Sequence, residues 1–128
     1  MKQSILDASA LLALLNQEHG SEQVAKAIAD GAVMSAVNFS EVVAKLGYDG
    51  MTEAAIHESL DSLGLKIVEF DVSLAYQTGF LRPLTKRSGL SLGDRACLAL
   101  AQHLNLPALT ADKAWQGLSL GVTIQIIR

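Results

Sequence analysis

Four carboxylates that are remote from one another in the chain occupy similar positions in its predicted elements. Asp7 follows the short apolar run "SIL" and precedes the helical run "ASALLALL", and Asp112 comes two residues after "PALT". Glu41 and Asp94 lie in the first turns of the predicted helices "NFSEVVAKL" and "LGDRACLAL". Helix starts favour negative charge because of their free N–H groups and the helix dipole. The pattern therefore indicates one shared acidic site, provided that the fold brings these positions to one edge.

A shared acidic site predicts a particular chemistry. Two carboxylates about 4 Å apart repel each other by roughly 4 kcal/mol at an effective dielectric constant near 20, so a cation must normally lie between them. Oxygen ligands without histidine or cysteine partners favour Mg²⁺ or Mn²⁺ over zinc. Such an ion activates water and polarises a phosphoryl oxygen. The predicted reaction is hydrolysis of a phosphodiester bond.

The elements that must position these acids alternate along the chain. Strands are predicted over residues 3–6, 31–36, 65–70, 107–112 and 122–127. Helices are predicted over residues 8–16, 21–29, 38–47, 52–64, 71–86, 91–105 and 113–118.

Several residues set the expected ends of these helices. We expect Ser21 and Thr52 to act as N-caps, Gly47 to end its helix, and Pro83 to bend or break the helix in which it lies. Ser91 and Asp94 have the spacing of a capping box.

Strands that alternate with helices indicate an α/β fold, a three-layer α/β/α sandwich with a mostly parallel sheet. The length of 128 residues fits one domain over residues 1–128, and the hydrophobic half of the chain suffices for its core. Ligands of such sheets bind at the carboxyl ends of the strands. Asp7 follows a predicted strand and Asp112 is the last residue of one, so we expect them at the same edge.

The composition excludes several classes of protein. Lysine and arginine total 10 against 13 acids, which argues against a generic basic binding module, and we expect no direct DNA binding by this chain. No apolar run approaches the roughly 18–20 residues that cross a bilayer, so no membrane partner is expected. A single cysteine, Cys97, excludes a disulfide framework and fits a reducing, cytoplasmic location.

Four segments together resemble a known family. "ILDASALLALL", "VNFSEVVAKL", "LSLGDRACLALA" and "ALTADKAW" are similar, in order and spacing, to the acidic motifs of PIN-domain ribonucleases, especially the VapC-type toxins of bacterial toxin–antitoxin pairs. The resemblance extends from Ile5 to about Trp115. It implies a five-stranded parallel sheet, a Mg²⁺- or Mn²⁺-dependent endoribonuclease, an RNA substrate and a cognate antitoxin that occupies the active-site groove. It also suggests a homodimer, with helices 21–29 and 52–63 as candidate faces.

The resemblance also implies roles for individual residues. It assigns catalytic and metal-holding roles to four acids: Asp7, Glu41, Asp94 and Asp112. Ser9 and Thr110 match small polar positions that orient ligands or a water. Asn38 precedes Glu41 by three residues, so the two share a helix face and Asn38 could support the acid.

Basic residues near these motifs are candidates for contacts with RNA phosphates. The candidates are Arg82, Lys86, Arg87, Arg95 and Lys113. The first three form the one basic cluster of the chain, for which a solvated helix end and a phosphate-steering patch are both open interpretations. For the other two, neutralisation of the acidic pocket and ordinary surface ion pairs are the alternatives.

Each acid also has a purely structural interpretation. Asp7 and Asp112 could cap the helices that follow them, Asp94 could only complete its capping box, and Glu41 could pair with Lys45 across one helix turn. One shared site explains the positions of the four acids more simply than four independent caps and pairs do.

Two other functions compete with the nuclease. A non-catalytic PIN-like binding module would keep the fold and use the acids only structurally. A haloacid-dehalogenase-type phosphatase also places an aspartate after its first strand, but it requires a second aspartate two residues later, where this chain has Ser9.

Overall fold

The structure, a computed structural model, describes residues 3–128 and contains one five-stranded sheet. Its strands are β1 (Ile5–Leu6), β2 (Val33–Ser35), β3 (Lys66–Val68), β4 (Ala108–Thr110) and β5 (Ile124–Ile126). All neighbouring strands pair in parallel, in the order β3-β2-β1-β4-β5. The parallel sheet expected from the alternating pattern is confirmed, and β1, which leads to Asp7, is its central strand.

Helices connect the strands. They are α1 (Ala8–Leu15), α2 (Ser21–Ala29), α3 (Ala36–Tyr48), α4 (Glu53–Asp61), α5 (Val72–Phe80), α6 (Arg82–Thr85) and α7 (Leu92–Leu104). Short 3₁₀ turns cover Lys86–Ser88 and Lys113–Trp115. Within residues 3–128, no helix has the length and apolar character needed to cross a bilayer.

The side chains of the central strands alternate between two cores. Ile5 of β1 packs with Leu74, Leu98 and Trp115 in a core on the α5 and α7 side. Leu6, the next residue, packs in a second core formed with α1 to α4. Because strand side chains alternate between the faces of a sheet, both faces are covered by helices. The predicted three-layer α/β/α arrangement is confirmed.

Two predicted helix ends are wrong. α2 begins at Ser21, but its N-cap is Gly20, whose φ of 95° is left-handed and whose Cα faces Ile127 so closely that a Cβ would collide with it. α3 continues through Gly47 to Tyr48. The glycine with a left-handed conformation is Gly50, with φ 104°, two residues after the end of α3. Glycine commonly adopts this conformation just after a helix.

Other predicted boundaries are confirmed. Thr52 caps α4 by accepting the N–H of Ala55. The helix predicted over residues 71–86 is broken, with Pro83 in the first turn of α6, where a proline needs no hydrogen-bonded N–H. Ser91 and Asp94 form the predicted capping box at the start of α7.

Candidate active site at the carboxyl ends of the central strands

Asp7 lies at the junction of the central strand β1 and helix α1. Its extended backbone makes it the N-cap of α1, and its Oδ1 accepts the N–H of Ala10 at 2.8 Å. The side chain is only 3% exposed. A carboxylate at a helix start is ordinary, but one this deeply buried requires further partners, because burying a charge without compensation is costly.

Two hydroxyl groups supply those partners. Thr110, the last residue of β4, donates to Asp7 Oδ2 at 2.6 Å. Ser9 donates to the same carboxylate, at 2.8 and 2.9 Å from its two oxygens, and accepts the N–H of Ala111 at 2.9 Å. The network joins the ends of β1 and β4, neighbouring strands of the sheet. Ser9 and Thr110, which the resemblance places at positions that orient ligands or a water, both contact Asp7.

The environment raises the pKa of Asp7 from 3.8 to about 6. Desolvation by burial is the largest cause, and the negative charge of Asp94 adds to it. The hydrogen bonds from Thr110, Ala10 and Ser9 act in the opposite direction because they stabilise the ionised form. Asp7 is thus a buried acid to which none of the ion pairs described for residues 3–128 supplies a cation.

Glu41 and Asn38 form a second group, on the first two turns of α3. The prediction that Glu41 lies in the first turn is wrong, because α3 begins at Ala36, two residues earlier than expected, which places Asn38 in the first turn and Glu41 in the second. The Asn38 side-chain amide donates to Glu41 Oε1 and to the backbone carbonyl of Gly93, both at 2.9 Å. Asn38 is buried, and the Glu41 carboxylate lies directly against the Cα of Gly93. Since Gly93 immediately precedes Asp94, this contact brings Glu41 to the first turn of α7.

Asp94 completes the capping box at the start of α7, where its Oδ2 accepts the N–H of Ser91 at 2.9 Å. Its carboxylate acts on nearby groups through its negative charge. The charges of Asp7, Asp94 and Glu41, after burial itself, all contribute to raising the pKa of the buried Cys97 thiol. These three acids therefore all lie within electrostatic reach of Cys97.

Asp112 reaches the site through its backbone. Its N–H donates to Thr110 Oγ1 at 3.0 Å, so it connects to the Asp7 network. Its carboxylate is exposed and accepts the N–H of Ala114 at 2.9 Å, which caps the 3₁₀ turn after β4. The structure thus brings the main chain of Asp112, rather than its carboxylate, into contact with the other predicted residues.

Three of the four structural interpretations also hold as local geometry. Asp7 and Asp112 are the N-caps of the helix and turn that follow them, and Asp94 completes the capping box of α7 with Ser91. The fourth does not hold, because Lys45 pairs with Asp49 at 3.2 Å while Glu41 accepts from Asn38. An acid can therefore cap a helix or turn and also belong to a shared acidic site.

The donor set can be compared with the needs of a divalent cation. Over residues 3–128, no three acidic, histidine or cysteine side chains are already assembled as metal ligands. The available donors are nevertheless hard carboxylate oxygens, the preferred ligands of Mg²⁺ and Mn²⁺. None of the ion pairs described for this part of the chain supplies a lysine, arginine or histidine to the four acids. The chemistry and charge of the residues fit such an ion.

The predicted basic residues lie in two kinds of environment. Arg82, Lys86 and Arg87 are exposed on α6 and the 3₁₀ turn after it, and Lys113 is exposed on the turn that follows Asp112. Arg95 is partly buried, and its Nη1 donates to the carbonyl oxygen of Thr78 in α5 at 3.2 Å. Its guanidinium group therefore already binds protein backbone.

Sequence reasoning overlooked Gly93. The available signal was a glycine in the first turn of a predicted helix, where alanine is energetically preferable, one residue before a candidate metal ligand. The reason for the glycine, however, lies in α3, more than fifty residues away in the chain.

Comparisons with known proteins agree with the fold. The family model described as PIN domain matches residues 4–119. Among curated proteins there is no significant match. Similar solved structures include a toxin-antitoxin complex from Klebsiella pneumoniae, with 21% identity, coverage of 94% of this chain and 96% of that chain, and a TM-score of 0.74.

Two further structures have the same fold over the whole chain. One is a DNA-bound VapBC from Salmonella typhimurium, with 18% identity, coverage of 100% of both chains and a TM-score of 0.74. The other is VapBC-5 from Mycobacterium tuberculosis, with 21% identity, coverage of 100% of this chain and 99% of that chain, and a TM-score of 0.66.

Proposed function

The chain belongs to the PIN domain family, and we propose that it is a metal-dependent endoribonuclease, the toxin of a type II toxin–antitoxin pair. The observation that carries the proposal is the buried Asp7, held by hydroxyl groups from two chain segments and within electrostatic reach of Asp94. Family membership removes the support for the phosphatase alternative.

The residues of the site have separate proposed roles. Asp7, Glu41, Asp94 and Asp112 hold the cation. Bound Mg²⁺ or Mn²⁺ supplies Lewis-acid activation of water and of the scissile phosphate. Ser9 and Thr110 keep the Asp7 carboxylate oriented, and Asn38 fixes Glu41, which holds the ion or positions the attacking water. Hydrolysis proceeds without a covalent enzyme intermediate.

RNA reaches the site along exposed cations. Arg82, Lys86, Arg87 and Lys113 are the proposed phosphate contacts, since all four are exposed and none takes part in an ion pair described for residues 3–128. Arg95 remains a prediction as a phosphate contact, because its Nη1 already donates to α5. Such an electrostatic contribution weakens as salt is raised.

Cleavage of RNA by the purified chain tests the proposal. We expect cleavage with Mn²⁺ or Mg²⁺, none after chelation, and a loss of more than 100-fold for Asp94→Asn, since even outer-shell changes in metal sites typically cost about 10–100-fold. Asparagine at this position still accepts the N–H of Ser91. The matched control is Glu53→Gln, another first-turn acid, exposed at the start of α4. Equal cleavage by wild type and Asp94→Asn would contradict the proposal.

One observation favours the non-catalytic PIN-like module as the second candidate. The described residues hold no ready set of three metal ligands, and three of the acids already cap helices or turns. Thermal melts separate the candidates. A working site predicts stabilisation by about 2.7 kcal/mol when Mn²⁺ exceeds its Kd a hundredfold. An unchanged melt at millimolar Mn²⁺ would favour the module.

A cognate antitoxin is the proposed protein partner, in a cytoplasmic setting that suits the one reduced, buried Cys97. Support comes from the similar structures, which are toxin–antitoxin or VapBC assemblies. None of the ion pairs described for residues 3–128 supplies a lysine, arginine or histidine to the four acids, so they suit a basic segment of such a partner. A short neighbouring reading frame whose product copurifies with this chain and suppresses cleavage would support the assignment, and a product that leaves cleavage unchanged would oppose it.

We also propose a homodimer, through a face other than those expected from the sequence. Exposed residues of α5, three of them large and apolar, form one stripe, here called the α5 face: Val72, Ala75, Tyr76, Gly79 and Phe80. The Tyr76 and Phe80 rings lie 6.1 Å apart, and exposed Leu84 follows one turn later in the chain.

A second copy of the chain fits this face by area. Since a large aromatic side chain buries about 150–250 Å², the α5 face and Leu84 offer roughly 600 Å² per copy. Two copies would then bury about 1,200 Å², the lower end of the range for stable interfaces. Ala75 and Gly79 are small, which lets two such helices approach closely.

Sedimentation of two variants tests the dimer. Tyr76→Glu, at a position 66% exposed, should convert a dimer into monomers. Tyr48→Glu is the control, because Tyr48 is 88% exposed at the end of α3 and lies outside the α5 face. A wild-type monomer, or a dimer that survives Tyr76→Glu, would contradict the assignment of this face.

A further inference from the structure

Gly93 lies in a helical backbone conformation that any residue can adopt. It is the second residue of α7, it is buried, and its φ is not positive. Glycine at a helical position is less favourable than alanine because it loses more backbone entropy on folding. The backbone therefore does not explain the glycine, and the explanation must lie in what surrounds it.

The Glu41 carboxylate occupies the space of the missing side chain. A Cβ built on Gly93 would meet both oxygens and the carboxyl carbon of Glu41 at separations that real Cβ atoms do not show. No other atom comes nearer to that position. The carboxylate of α3 thus lies where alanine would place its methyl group.

Asn38 holds the carboxylate in that space. Its side-chain amide donates at 2.9 Å both to Glu41 Oε1 and to the carbonyl oxygen of Gly93, so one group connects the acid to the backbone of α7. Asn38 is 1% exposed, which leaves it little freedom to move away. Glu41 is an exposed residue, but its carboxylate cannot yield to a Cβ at position 93 without breaking its hydrogen bond to Asn38.

We propose that Gly93 is a positioning residue, whose lack of a side chain lets Glu41 lie against the first turn of α7, beside Asp94. The contact brings an acid of α3 to the acids at the ends of the central strands. The importance of the Glu41 position for metal binding rests on the proposed nuclease function. The contact between Glu41 and Gly93 does not depend on that function.

A double-mutant cycle in thermal stability tests the contact. Gly93→Ala should lower the unfolding midpoint by about 5 °C or more, as overpacking typically does in a domain of this size. In the Glu41→Ala background the same substitution should leave the midpoint unchanged or raise it, because the space is then free. An equal loss in both backgrounds would overturn the proposal and assign Gly93 to helix packing alone.

Gly47→Ala is the matched control. Gly47 lies in the same helix as Glu41, is exposed, and its Cβ would meet only Ile56 Cδ1, at an ordinary 3.8 Å. The unfolding midpoint of Gly47→Ala should not fall. A loss like that of Gly93→Ala would show that any added methyl group on these helices is harmful, and would overturn the proposal.

Mn²⁺ binding provides the readout of positioning. Gly93→Ala should weaken Mn²⁺ binding about 10–100-fold, the usual effect of disturbing groups that orient metal ligands. Adding Glu41→Asp, one methylene shorter, should restore stability and part of the affinity. Undiminished binding by Gly93→Ala would overturn the positioning role. A wild type that binds no Mn²⁺ would instead oppose the nuclease proposal, while the stability cycle would still decide the contact.

Discussion

Asp7 and Asp71 have the same local structure at opposite positions in the sheet. Each lies between a strand and the next helix, with φ −86° in both and ψ 177° or −179°. Each caps its helix by accepting the N–H of the third residue onward, at 2.8 Å for Asp7 and 2.9 Å for Asp71. Local sequence and backbone geometry do not distinguish the two.

Their surroundings distinguish them completely. Asp71 follows the edge strand β3 and is exposed, whereas Asp7 follows the central strand β1 and is buried. Asp7 alone receives hydroxyl groups from Ser9 and Thr110 and feels the charge of Asp94. The difference teaches that the cap is a local property, while the candidate site is created by strand order.

The largest expected effect is on catalysis. Asp7→Asn should reduce RNA cleavage by more than the roughly 100-fold typical of outer-shell changes, because a proposed metal ligand is lost. Asparagine still caps α1, so the fold should remain. Asp71→Asn should cleave like wild type. Initial cleavage rates with Mn²⁺ measure both variants. Equal activity of the two would show that Asp7 and Asp71 do not differ in function.

The second effect is on stability as a function of pH. The pKa of Asp7 is raised in the folded state, so its contribution is fully present below about pH 3.8 and is lost as pH rises through about 6. The loss amounts to about 3 kcal/mol. Urea unfolding in chelator, from pH 3.5 to 8, should show this decline in wild type and in Asp71→Asn. The same decline in Asp7→Asn would assign it to another group.

The third effect concerns the hydroxyl groups around Asp7. Thr110→Val keeps the shape of a fully buried residue but removes the donor at 2.6 Å, so Mn²⁺ affinity should fall about 10–100-fold. Thr85→Val is the control, since Thr85 is equally buried but donates within its own helical segment to Leu81. Calorimetric titration compares them, and similar affinities would show that the Asp7 network is not needed for binding.

The smallest effect isolates the cap. Asp71→Ala removes only the bond to Leu74, which should cost about 1 kcal/mol of stability without changing cleavage. Urea unfolding and the cleavage rate measure the two quantities. A fall in cleavage that exceeds the fall in folded protein would mean that the edge-strand aspartate also serves the site.

The comparison also indicates what the sequence could predict. Strand and helix alternation, the capping box of Ser91 and the break at Pro83 depend on neighbouring residues, and all were predictable. The end of α3 was not, because Gly47 and Gly50 are both plausible stop signals and only the folded backbone selects Gly50.

The candidate site was predictable in its residues but not in its contacts. Motif order pointed to Asp7 and Asp94, and the structure brings them within electrostatic reach. The fit of Glu41 against Gly93 depends on how closely α3 approaches α7, which no local pattern encodes. The α5 face was missed for a similar reason, since an apolar helical stripe predicts burial unless the neighbouring layer is known.

Anomalous diffraction from crystals soaked in Mn²⁺ tests most directly whether strand order turns Asp7 into a metal ligand. The account predicts an anomalous peak in contact with carboxylate oxygens of Asp7 and Asp94, absent from Asp7→Asn crystals and retained in Asp71→Asn crystals. Well-ordered Asp7 and Asp94 side chains without a peak between them, or a peak that survives Asp7→Asn, would contradict it.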